Sequence, residues 1–65
     1  MRLSINGEET FLDNVTTITE LLNHLSLKGK IAVEINREIV PRSQFNNYQI
    51  NDGDLVEIVH AIGGG

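Results

Sequence analysis

Only one stretch of this chain carries apolar residues at helical spacing. In "TITELLNHL", Ile18, Leu21, Leu22 and Leu25 fall at i, i+3, i+4 and i+7, a single stripe down one side of a helix. The rest of the chain alternates or turns. Its 65 residues limit it to one small core, since a domain of this length buries only about 60% of the surface its unfolded form exposes. One helix laid across one face of one sheet is the simplest compact solution. The chain has no cysteine and no Cys/His ligand cluster, so apolar packing must replace the staples that many small domains use.

Thr17 followed by Glu20 has the spacing of a capping box, which starts the helix near Thr17 or Ile18. The helix is expected to end by Gly29, with Lys28 and Lys30 set favourably against the negative end of its dipole. Ahead of it, "RLSIN" places Leu3 and Ile5 on one face and Arg2, Ser4 and Asn6 on the other. Asn6-Gly7 marks a tight turn, from which a strand of Thr10 to Leu12 pairs back. After the helix, Ile31, Val33 and Ile35 share a face, and Asn36-Arg37-Glu38 turns into a short strand of Ile39 and Val40. Pro41 lacks a backbone donor and stops that strand or confines it to an edge. "SQFNNYQI" has no period and is expected to be irregular, with at most one helical turn, pinned by Phe45 and Ile50. Asn51 to Asp54 is dense turn chemistry.

The final strand, Leu55 to Ala61, has Val56 and Ile58 on one face and Leu55, Glu57 and Val59 on the other. Both faces are partly apolar, the pattern of a central strand whose inner side meets the helix and whose outer side meets something else. The element order predicts an α+β fold: a mixed four- to five-stranded sheet with one helix packed across it and the first and last strands side by side in the middle. With no repeat or linker, residues 1–62 form one domain and residues 63–65 a tail.

Five Lys and Arg against nine Asp and Glu give a net charge of −4, which argues against nucleic acid as partner and favours a protein with a basic surface. A charge of that size is also ordinary for a soluble domain. Met1 runs straight into the first alternating stretch and no 18-residue apolar stretch occurs, so the chain is expected to be neither exported nor inserted in a membrane. The lack of cysteine fits a cytoplasmic location. No nucleophile motif accompanies His24, on the polar side of the helix stripe, or His60, near the end, so both read as surface residues. The pairs Glu8-Glu9 and Asp52/Asp54 lack the further ligands of a calcium loop and read as solvated turn residues. Neither a catalytic residue nor a metal site is expected.

The chain closes on Gly63, Gly64 and Gly65. Three extended glycines span on the order of 10 Å and, without Cβ atoms, pass where any side chain would jam. They suit the delivery of the Gly65 carboxylate into a cleft on another protein. A frayed terminus is the plainer alternative. A carboxylate is a poor acyl donor, so its use demands activation, for example by attack on the α-phosphate of ATP. The Mg²⁺ and basic groups of an activating enzyme would stabilise the charge that develops.

On "VEINREIVPR" (Val33 to Arg42), "INDGDLVEIVHAIGGG" (Ile50 to Gly65) and the "ITELL" helix, the whole chain resembles the ThiS family. These are the small sulfur carriers of thiamin biosynthesis, with the ubiquitin-like β-grasp fold. The resemblance implies a carrier rather than an enzyme, a monomer when free. Its Gly65 carboxylate would be adenylated by a ThiF-like adenylyltransferase and converted to a thiocarboxylate with sulfur from a donor such as a cysteine desulfurase. The sulfur would then pass to a ThiG-like thiazole synthase. Gly64 and Gly65 match the terminal Gly-Gly of the family, and Gly63 adds a third. The expected docking face is the outward side of the last strand, Leu55, Glu57 and Val59, with Arg42 nearby; incidental surface apolars are the plainer account of Leu55 and Val59. The alternatives are a molybdopterin-synthase-type sulfur carrier, a ubiquitin-like modifier of lysines, and a β-grasp interaction module with an inert tail.

Overall fold

The computed structural model describes residues 1–60. In chain order the elements are β1 (Arg2–Ile5), β2 (Glu8–Phe11), α1 (Ile18–His24), β3 (Ile31–Ile35), β4 (Glu38–Val40), a 3-10 turn (Arg42–Gln44) and β5 (Leu55–His60). The five strands form one sheet in the order β2-β1-β5-β3-β4. The first and last strands run parallel at its centre and every other pair is antiparallel. α1 covers one face, where Ile18, Leu21 and Leu22 join Leu3, Ile5, Val33, Ile35, Val56 and Ile58 in a single buried cluster.

The Asn6-Gly7 turn is tight as expected, and the turn at Asn36-Arg37 is as tight. Asn6 and Gly7 sit at φ of 50° and 85°, and Asn36 and Arg37 at 52° and 72°. Positive φ at both central residues is the mirror-image turn whose twist matches that of the strands it joins. Pairing therefore resumes at once, Ile5 with Glu8 and Ile35 with Glu38. The second strand is thus Glu8–Phe11 rather than Thr10 to Leu12, and the fourth takes in Glu38. Arg37 holds its left-handed conformation without the freedom of glycine, at a cost of roughly 1–2 kcal/mol.

The capping box forms as expected. The Thr17 hydroxyl accepts the Glu20 amide at 3.2 Å, and the Glu20 carboxylate accepts the amides of Thr16 and Thr17 at 2.7 and 3.2 Å and the Thr16 hydroxyl at 2.6 Å. That hydroxyl first, then the two amides, hold the Glu20 carboxyl below its ordinary value. The other end differs from expectation. Ser26 turns left-handed at φ 58°, its amide donates to Asn23 O at 3.0 Å and that of Leu27 to Leu22 O at 2.9 Å. This double closure ends the helix at His24. Lys28 and Lys30 thus lie beyond its last turn, and His24 is the basic residue placed there.

Pro41 ends β4, one helical turn follows, and buried Phe45 and Ile50 pin the irregular segment. Asp54 departs from its expected solvated state. It is buried, and its carboxylate accepts the Asn51 amide at 2.8 Å and the Asn36 side-chain amide at 3.0 Å. Asp52 stays exposed and accepts the Arg2 amide at 2.6 Å. Each carboxylate ties the turn before β5 to another part of the chain.

Candidate functional site

The site is organised by β5, the strand that precedes Gly63, Gly64 and Gly65 in the sequence. Its pairing with β3 covers five residues, from Ile31 with His60 to Ile35 with Val56. With β1 the ladder pairs only Ser4 with Leu55 and Ile5 with Val56 before β1 turns away. Asn6 extends it. Its amide donates to Val56 O at 2.9 Å, while its side chain accepts the Ile58 amide at 2.7 Å and donates to Ile58 O at 3.2 Å. The side-chain amide thus stands in for the next peptide unit. Asn36 grips the start of the strand in the same manner, its amide donating to Leu55 O at 2.7 Å and its side chain accepting the Leu55 amide at 3.0 Å.

Alternation turns Val56 and Ile58 into the core and Leu55, Glu57 and Val59 to the face that α1 leaves bare. Residues paired across a sheet share a face. The bare face therefore also carries Ala32 and Glu34 of β3, Ile39 of β4, Arg2 and Ser4 of β1, and Glu9 and Phe11 of β2. Phe11, Ile39 and Val59 are 72%, 74% and 61% exposed, the three large apolar residues most open to solvent among the described residues. All three lie on this one face. Glu57 stands directly opposite half-buried Glu34, with Val59 and Ala32 in the next row and Ile39 beside Glu34. Among the described residues the one ion pair is Arg2 with Glu9 at 3.6 Å, so no cation answers Glu34 or Glu57.

Arg42 does not join Leu55, Glu57 and Val59. After Pro41 the chain passes to the helix-covered side, where the Thr19 amide donates to Phe45 O at 3.2 Å. Arg42 there lines a recess of about 210 Å³ with Leu22, Leu27, Lys28, Ile31 and Phe45. His60 lies at the edge of that side, its Nε2 3.0 Å from Lys28 O. His24 is exposed. Among the described residues no three His, Asp or Glu side chains converge as metal ligands, and no helix is long and apolar enough to cross a membrane. Gly63, Gly64, Gly65 and the end of the expected last strand, Ala61, lie outside the described residues.

Sequence reasoning missed the two asparagines as strand clamps, reading them only as turn formers. It also missed Glu34 and Ile39. Alternation along β3 puts Glu34 outward, but its position opposite Glu57 follows from a register that one sequence does not contain.

A five-stranded mixed sheet crossed by one helix, with parallel first and last strands at its centre, makes this a ubiquitin-like β-grasp protein. The comparison with known proteins narrows that class. The chain belongs to the ThiS family, whose profile matches residues 2–65, a family of sulfur carriers involved in thiamine biosynthesis. It is 37% identical to the sulfur carrier protein ThiS of Bacillus subtilis, over 97% of this chain and 98% of that one. The crystal structure of the thiamine biosynthesis protein ThiS from Geobacter metallireducens superimposes with a TM-score of 0.86 at 35% identity, covering 100% of both chains. A thiazole synthase of Paramagnetospirillum magneticum is 48% identical over 66 residues; the match takes in 100% of this chain but only 20% of that protein.

Proposed function

We propose that this chain carries sulfur as a thiocarboxylate on Gly65 and gives it to thiazole synthase. The observation that carries this reading is the family match, which runs through the terminal glycine at residue 65. A carboxylate oxygen of Gly65 attacks the α-phosphorus of ATP, pyrophosphate leaves, and an acyl adenylate forms. Sulfur at the oxidation level of sulfide then attacks the acyl carbon and AMP leaves, so no electrons are exchanged. A persulfide from a cysteine desulfurase would need a thiol to reduce the acyl disulfide first formed. Adenylation belongs to a ThiF-like enzyme with its Mg²⁺. The chain itself supplies the carboxylate, a slender tail of Gly63 and Gly64, and a docking face at Leu55, Glu57 and Val59. The cytoplasm, where ATP is available, is the fitting compartment.

A thiazole synthase partner is supported by the Paramagnetospirillum relative, which holds a stretch like this chain within a much longer polypeptide. The test is the intact mass of the chain after incubation with ATP, Mg²⁺, the activating enzyme and a sulfide source. The expected result is a gain equal to exchanging one oxygen for sulfur, lost when Gly65 is deleted. No gain, with an activating enzyme that loads another carrier, would overturn the proposal. Transfer of the whole chain onto lysines instead would identify a modifier.

A further inference from the structure

We propose that the bare sheet face docks thiazole synthase through one partner arginine or lysine ringed by apolar side chains, with Glu34 and Glu57 together receiving the cation. This rests on the carrier function proposed above and specifies the chemistry of the partner surface. Directly opposed residues on neighbouring strands bring their Cβ atoms to about 4.5–5.5 Å, and like charges so placed oppose each other. Glu34 and Glu57 are so placed, and no cation among the described residues relieves them. A guanidinium set between them reaches both carboxylates, with the strength and directionality of charge-assisted pairs.

The surroundings favour such a group over a mobile counterion. Val59 and Ala32 fill the next row, Ile39 flanks Glu34, and Leu55 lies two residues before Glu57 on β5. Apolar contacts around a charged anchor exclude water and raise its contribution to binding. A second copy of this chain is the wrong occupant, because the basic residue it presents on this face, Arg2, is already paired with Glu9 at 3.6 Å. The net charge of −4 steers a basic surface towards the chain at long range. β5 carries Glu57 and Val59 on this face and leads on to the tail, so a partner seated here lies beside the tail's root.

Calorimetric titration of the full-length chain against thiazole synthase from the same organism tests this. Glu57→Lys should weaken binding at least tenfold. The double variant Glu34→Gln with Glu57→Gln should weaken it several-fold and flatten its salt dependence, while melting no lower than the parent because the repulsion is gone. Glu8→Lys makes the same charge change on the helix side and should stay within twofold. Unchanged affinity in the double glutamine variant would overturn the inference, as would an equal loss in Glu8→Lys. Failure of the parent to bind the synthase while its thiocarboxylate still forms would sink this docking but not the carrier chemistry. Binding of the expected pattern with no gain in mass would support the docking and sink the carrier.

Discussion

The two faces of the sheet are built from the same strands, yet their side chains answer to different demands. On the covered side Leu3, Val33, Ile35 and Val56 are all 1% exposed or less. On the bare side Phe11, Ile39 and Val59 stand in solvent, Ile39 and Val59 beside the unanswered carboxylates of Glu34 and Glu57. Cohesion comes from the first face alone, so the second is free to carry a recognition surface without loss of fold.

Exchanging one valine on each face of β5 is the strongest way to break that comparison. Val56→Asp puts a carboxylate where exposure is 0% and should cost about 3–5 kcal/mol, enough to unfold much of a domain this small. Val59→Asp, three residues along the same strand, should stay within about 1 kcal/mol. Urea denaturation measures both, and similar losses would mean that the outer face also holds the fold together. A middle-sized effect is expected where both faces share a support. Asn6→Gly keeps the turn but removes the clamp on Ile58, at about 1 kcal/mol. Hydrogen exchange should quicken at the Ile58 amide and leave the β3–β4 hairpin unchanged.

The smallest effect concerns only the helix that covers the inner face. Glu20 has its folded pKa lowered by the Thr16 hydroxyl and the Thr16 and Thr17 amides. Its contribution is fully present above the ordinary carboxylate value and is lost as pH falls through the depressed one. Glu20→Gln should therefore flatten the acid side of the stability curve. Curves for the two proteins that run parallel below neutrality would contradict this origin.

The covered face was largely legible in the sequence. Leu3, Ile5, Val33, Ile35, Val56 and Ile58 alternate, and the helical stripe has one place to go, so the sheet, its central pair and the capping box follow from period and spacing. Turn chemistry was only half legible. Asn-Gly announces a two-residue hairpin, whereas Asn36-Arg37 does not, because arginine seldom takes φ of 72°. Ser26 ends the helix in a position that usually belongs to glycine, which is why the end was placed too late. The bare face was legible one strand at a time. Leu55, Glu57 and Val59 could be read from β5, but Glu34, Ile39 and Phe11 join them only through registers set by distant pairings. Arg42 was misplaced because a single proline sends the chain round the sheet edge to the helix side.

The central placement of β5 also has a mechanical consequence. A strand pulled across its axis peels away one bond at a time, whereas one pulled along its axis loads its bonds together. β5 is held by β1 and the Asn6 amide on one side and by five paired residues of β3 on the other. A pull at His60 along the strand axis therefore loads these bonds together, in shear. A partner that grips the chain beyond His60 works against a strand held on both sides, so the body should come along with the pull before its core tears open.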